Sequence, residues 1–243
     1  MNVVAIIQAR MGSSRLPGKV LMDLGGCSVL ERVVCRLRRA STINRIIVAT
    51  SSLVTDDVIA KECGNLGVAC FRGSEQDVLD RYYRAASEAQ ADAVVRITSD
   101  CPLLDSELVD EVVSLFHTCG AEYVNNCSPR TFPRGLDTEA FTMSALSRAW
   151  SESRRPHQRE HVTPYIYENP EKFRLSFVKG TVDYSQYRWT LDTAEDLNLL
   201  RSIYTHFNNT DDFGWREVIQ LMERDPELVQ LNSHIPQKSL MTF

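Results

Sequence analysis

The chain lacks several features, and each absence narrows its class. No run of about 18 apolar residues occurs, so nothing in it reads as a membrane-spanning helix. The opening Met1-Asn2-Val3-Val4-Ala5-Ile6-Ile7 has neither the basic flank nor the long apolar stretch of a secretion signal. The seven cysteines (27, 35, 63, 70, 101, 119 and 127) form no C-x-x-C pair, are odd in number and sit mostly in apolar runs such as Val33-Val34-Cys35. They read as buried thiols in a reducing compartment, not as a disulfide framework or zinc site, and a cytoplasmic protein is expected. Positive charge is also short: 27 Lys and Arg against 32 Asp and Glu leave −5 overall. General nucleic-acid binding and adsorption to anionic lipid are therefore not expected. No internal repeat or low-complexity segment is visible.

At 243 residues and 43% hydrophobic content, the chain suits a single domain, 1–243, with a sizeable core. Its charge is uneven. The first fifty residues hold eight basic and two acidic side chains, +6, against −11 for the rest. One end is expected to handle an anion, although Arg32, Arg36, Arg38 and Arg39 read as the solvated face of a helix. Short β-branched runs at 3–7, 45–50, 68–71, 93–97 and 121–125 alternate with helix-length amphipathic stretches. This is the pattern of a mostly parallel sheet covered on both faces, an α/β fold. Ser28 and Glu31 form a capping box for the first helix, further helices are expected near 55–65, 76–90 and 105–118, and Thr193 caps a long one reaching Phe207. From about 129 to 187 prolines break the pattern, apart from a strand-like alternation at 173–178. The stretch reads as an irregular arm, and 188–191 as a last short strand.

In open α/β sheets, ligands bind beyond the carboxyl ends of the strands. After the first strand comes Gln8-Ala9-Arg10-Met11-Gly12-Ser13-Ser14-Arg15-Leu16-Pro17-Gly18-Lys19. Its glycines allow close backbone approach, Ser13 and Ser14 add donors, and Arg10, Arg15 and Lys19 neutralise several negative charges, which together describe a polyphosphate cradle. It is not a P-loop: five residues separate Gly12 from Gly18 where that motif has four, and Val20 replaces the Mg²⁺-binding Ser or Thr. There is no G-x-G-x-x-G.

The segment from Gln8 to Lys19 resembles the signature of CTP-dependent cytidylyltransferases that activate sugar acids, the acylneuraminate and 3-deoxy-manno-octulosonate group. Arg72-Gly73-Ser74-Glu75-Gln76-Asp77-Val78-Leu79-Asp80-Arg81-Tyr82 and Arg159-Glu160-His161-Val162-Thr163-Pro164-Tyr165-Ile166 resemble the branch associated with spore-coat polysaccharide synthesis. The likeness runs from residue 3 to about 207. It implies a Rossmann-like, three-layer α/β/α nucleotidyltransferase (GT-A-like) fold, a Mg²⁺-dependent enzyme, CTP and a small anionic acceptor as substrates, and a homodimer built through the 129–187 arm. Ala9, Arg10, Gly12, Ser13, Arg15, Lys19, Gly73, Ser74, Asp77, Arg81 and Ser99 are the implied nucleotide contacts, with Arg10, Arg15 and Lys19 acting catalytically.

Two carboxylates stand where strands end, Asp100 in Thr98-Ser99-Asp100-Cys101-Pro102 and Asp192 in Arg188-Trp189-Thr190-Leu191-Asp192. Mg²⁺ is commonly held by one or two carboxylates with phosphate oxygens and water, and the resemblance assigns it to this pair. Each is equally a local helix-start residue, and Asp77 with Arg81 is equally an i,i+4 surface pair. The resemblance puts Arg134, Asp137, Glu139, Arg159 and His161 on the acceptor side. His157 and His161 also fit H-x-x-E-H, the inverted zinc-peptidase signature, but Pro156 and Pro164 leave barely two helical turns and no third ligand is evident. The competing class is a GT-A glycosyltransferase using a nucleotide sugar; such enzymes usually carry D-x-D, and here Cys101-Pro102 follows Asp100.

Overall fold

Strand β1 (Val3–Gln8) shows why a parallel sheet forms. Val3, Ala5 and Ile7 join one core and Val4 and Ile6 another, so an unbroken apolar run is buried on both faces. In the computed structural model, which describes residues 1–237, β1 is flanked in parallel by β2 (Arg45–Ser51) and β4 (Ala93–Thr98), and β3 (Ala69–Gly73) pairs with β2. The sheet has seven strands in the order β3-β2-β1-β4-β6-β5-β7, with β5 (Tyr123–Asn125), β6 (Glu139–Thr142) and β7 (Leu175–Phe177). Only β6 runs against its neighbours.

The first face carries α1 (Val29–Leu37), α2 (Asp57–Asn65), α4 (Ser106–Thr118), α8 (Ala194–His206) and α9 (Trp215–Arg224). The second carries α3 (Val78–Glu88), α5 (Met143–Glu152), α6 (Pro156–His161) and α7 (Pro164–Tyr167), while α10 (Pro226–Gln230) packs on α8 and α9. Layers of helix, sheet and helix result, as expected. The predicted capping box and the predicted Thr193 cap both form: Ser28 Oγ accepts from Glu31 N at 3.0 Å, and Thr193 Oγ1 from Asp196 N at 3.3 Å. Among the described residues no helix is long and apolar enough to cross a membrane.

Three expectations change. Residues 129–187 are not an irregular appendage, since they supply β6, the strand that joins the parallel sheet to β5, and also β7. Their alternation is obscured because β6 opens with Glu139, whose charge is neutralised inside the fold by Arg96. Arg188–Leu191 is not a strand; it makes one bridge, Arg134 with Arg188. Arg32 and Arg36 are buried rather than solvated. Arg32 pairs with Asp211 at 3.0 Å and donates to the Leu24, Gly25 and Asn209 carbonyls. Arg36 donates to the Leu104 and Phe213 carbonyls, so the two arginines tie α1 to the α8–α9 turn.

Candidate active site

Beyond β1, the loop folds back on itself: Gly18 N donates to Met11 O at 3.0 Å, and Met11 N to the buried Asp56 carboxylate at 2.8 Å. Lys19 then opens a single 3-10 turn whose Val20 is buried in the core, which fixes the direction of the lysine stem. Its Nζ donates to Asp100 Oδ2 at 2.7 Å, Asp192 Oδ1 at 2.8 Å and Leu191 O at 2.6 Å. The two aspartates, 92 residues apart in sequence, thus meet on one ammonium. Backbone holds them there, since Leu191 N donates to Asp100 O at 2.8 Å. Arg15 and Arg188 both reach Asp192 Oδ2 at 2.8 Å. Burial opposes charge on Asp192, but Lys19, Arg188 and Arg15 outweigh it and hold the carboxyl below its ordinary 3.8. The same carboxylates raise the Lys19 ammonium above its ordinary 10.5 against the pull of burial.

The second expected nucleotide segment lies beside the first. A Cβ on Gly12 would sit 3.6 Å from Glu75 Oε1, in the loop after β3. Gly73 is required there, because a Cβ would lie 2.8 Å from Arg81 Cγ. Arg81, on α3, is 1% exposed, and its Nε and Nη1 find no partner among the described residues. Burial, then Arg10, pulls its pKa below the ordinary arginine value. Gln8 Oε1 and Thr50 Oγ1, near the carboxyl ends of β1 and β2, are likewise buried and unpartnered. Unsatisfied polar atoms of this kind are rare in native folds, and Gln8 and Thr50 stand at strand ends, where open α/β sheets bind their ligands. Ser99 is buried beside them with its N–H donating to Gln8 O at 3.1 Å. Two expected nucleotide contacts are used internally. Ala9 is buried and its N–H donates to Ala49 O at 3.1 Å, while Asp77 caps α3 and pairs with Arg159. Ser74 Oγ accepts from Asp77 N at 3.2 Å.

That pairing engages Arg159, whose guanidinium binds Asp77 and the Trp150 carbonyl and ties α6 to α3. Glu139 is engaged inside the fold as well. Its carboxylate is 5% exposed and accepts from Arg96, Tyr123 Oη at 2.5 Å and Thr163 Oγ1 at 2.7 Å. Asp137 forms a two-pronged pair with Arg130, at 2.5 and 3.0 Å. Arg134 stands near Arg130 and Arg188, half-buried, with no carboxylate paired to it among the described residues; burial and Arg130 lower its pKa. His161, half-buried too, ends α6 where Val162 adopts φ 74, ψ −58. Thr163 N donates to His161 O at 2.9 Å, which makes 161–163 a γ-turn of the rare strained form. Burial and the nearby Arg96 keep the imidazole below its ordinary 6.5. Glu160, just before this turn, approaches Arg10 at 3.9 Å, so this helix end borders the cradle.

Arg96, Arg130 and Arg188 were missed as members of this neighbourhood. A signal for Arg96 existed, a lone cation inside the apolar run Ala93-Val94-Val95-Arg96-Ile97. Residues 4–223 match the profile of a family described as cytidylyltransferase. The chain belongs to the cytidylyltransferase family. A spore coat polysaccharide biosynthesis protein, SpsF, from Bacillus subtilis is 33% identical, over 93% of this chain and 96% of that one. A 3-deoxy-manno-octulosonate cytidylyltransferase from Chlamydia trachomatis is 30% identical, over 84% of each. Among solved structures, a cytidylyltransferase from Leptospira borgpetersenii superposes with a TM-score of 0.91 at 38% identity, covering 98% of this chain and 100% of that one. In this cytidylyltransferase the cradle, the Asp100–Asp192 pair and the unpartnered atoms around Arg81 lie at one end of the sheet. Among the described residues no three His, Cys, Asp or Glu side chains gather into a metal cluster. His157, of the H-x-x-E-H segment, pairs with Glu168 at 2.8 Å.

Proposed function

We propose that this cytidylyltransferase moves CMP from CTP to an oxygen of a small anionic acceptor, a sugar acid, phosphomonoester or phosphonate, and releases pyrophosphate. Its place is surface polysaccharide or related biosynthesis. The observation that carries this reading is that, beyond the strand ends, Lys19 binds both Asp100 and Asp192 while Arg15 binds Asp192. The acceptor oxygen attacks the α-phosphorus in line; a new O–P bond forms as the bond to the bridging oxygen of pyrophosphate breaks. Arg10, Arg15 and Lys19 neutralise the charge that gathers on the departing pyrophosphate. Gly12, Ser13, Gly73, Ser74 and Ser99 border the nucleotide, with Arg81 in reach of the nucleoside. Arg134, half-buried and without a paired carboxylate among the described residues, meets the acceptor's anionic group, with Asp137 and His161 flanking it.

The donor set suits Mg²⁺. Two carboxylates on one point, already gathered around a cation, leave the remaining positions to phosphate oxygens and water, which is how this ion is usually held. When bound, Mg²⁺ supplies Lewis-acid polarisation of the α-phosphate. An acceptor oxygen that is already ionised needs no base. A cytoplasmic location accords with seven free thiols. Phe177 and Val182, exposed apolar side chains within 129–187, support a homodimer through that stretch, and light scattering at the mass of one chain would remove it. The activity is tested by incubating the protein with CTP and each acceptor class. Pyrophosphate release that requires both substrates supports the assignment; consumption of a CDP- or UDP-sugar in place of CTP overturns it.

A further inference from the structure

We propose that Lys19 is the resident cation of the Asp100–Asp192 pair, and that it keeps a divalent ion out until a nucleoside triphosphate draws its ammonium away. This rests on the reading that the two aspartates hold such an ion. An ammonium has three protons, and Lys19 spends all three, on Asp100 Oδ2, Asp192 Oδ1 and Leu191 O. None is left for a phosphate, and the side chain is only 10% exposed. Both Asp192 oxygens are occupied, Oδ1 by Lys19 and Oδ2 by Arg15 and Arg188. Asp100 keeps one oxygen, Oδ1, whose neighbour is the Cys101 thiol at 3.6 Å. An ion that coordinates both aspartates has to occupy the space the ammonium now fills.

The exchange is local. Lys19 carries its charge on a flexible four-carbon stem, and a triphosphate offers that charge oxygen acceptors to replace the two carboxylates. Arg15, one-third exposed at the rim of the same cluster, meets the same choice between Asp192 and phosphate. Cation and nucleotide are then coupled: each binds more tightly when the other is present, by the same factor. The cationic cradle is also kept neutral in the free protein, where unpaired Lys19 and Asp192 would otherwise repel or attract stray ions.

Two measurements test this on the full chain. In the first, Mn²⁺ is titrated without nucleotide and the free ion followed by electron paramagnetic resonance, for the unchanged protein, Lys19→Met and Lys19→Met with Asp100→Asn. Lys19→Met is expected to bind Mn²⁺ at least about tenfold more tightly than the unchanged protein, and the double variant to lose that gain. Equal binding by the unchanged protein and Lys19→Met, lost with Asp100→Asn, overturns the proposal while the aspartates remain the cation site. Absence of Mn²⁺ binding in every form, with or without an α,β-methylene analogue of CTP, overturns that site and the proposal together. The second needs no variant. Lys19 is the only lysine buried among the described residues, so its ammonium should give the slowly exchanging ¹⁵N signal. That signal is expected to stay in place with millimolar Mg²⁺ alone and to shift with the metal-free CTP analogue. A shift with Mg²⁺ alone overturns the proposal.

Discussion

Asp100 carries charge to the cluster while contributing little to its scaffold, because its backbone carbonyl, not its side chain, receives the Leu191 amide. Asp100→Asn is therefore expected to abolish CMP transfer, by about 10²-fold or more, with the unfolding temperature nearly unchanged. Pyrophosphate release beside a melting curve checks this. Arg96 is the opposite case, a buried charge whose loss strands Glu139 among Tyr123 and Thr163. Arg96→Met is expected to cost about 3–5 kcal/mol of stability, seen as a lowered urea midpoint. His161 has a direction in pH as well. Its pKa lies below the ordinary 6.5 in the fold, so the unfolded chain binds the proton more readily. Stability from this residue rises as pH climbs from the lowered value to 6.5 and is flat above it. An imidazole titration by NMR in the folded protein is expected to find its midpoint below 6.5, and a midpoint above that would contradict the burial argument.

At the scale of elements, the segment carrying Asp192 is held by Arg134 and Gly135 rather than by a strand of its own. Arg134 O accepts from Trp189 N at 2.7 Å, and Gly135 has φ 109 with the Trp189 carbonyl carbon 2.7 Å from where a Cβ would sit. Gly135→Ala is expected to cost about 3 kcal/mol, from backbone strain and overpacking together, and to lower transfer activity by displacing Asp192. Calorimetry and the pyrophosphate assay read the two effects. This contact explains what sequence could and could not reveal. The parallel strands and capped helices were legible because each announces itself locally, through β-branched runs or a capping pair. The 188–192 segment looked like a strand because Arg188-Trp189-Thr190-Leu191 has strand composition, yet its position comes from a glycine 53 residues earlier. Strand β6 was hidden for the converse reason: Glu139 broke the apolar pattern, and its partner Arg96 lies on another strand. The cradle and both aspartates were visible as motifs. That Asp77 and Arg159 satisfy each other, and that Arg32 and Arg36 turn inward, depends on packing between distant helices.

For the molecule as a whole, the uneven charge resolves into two uses. Of the basic residues near the start, Arg15 and Lys19 face Asp192 and Asp100, whereas Arg32 and Arg36 neutralise Asp211 and cap carbonyls in the core. The end expected to handle an anion is thus narrower than net charge suggests, and part of the acidic remainder supplies its counter-charges. The proposed role of these groups is transfer of CMP. The measurement that addresses it most directly is pyrophosphate release from CTP and Mg²⁺ across a panel of sugar acids, polyol phosphates and phosphonates, run with the unchanged protein and Asp100→Asn. Release is expected with one acceptor class, dependent on CTP and lost in the variant. Release by Asp100→Asn equal to that of the unchanged protein would contradict it.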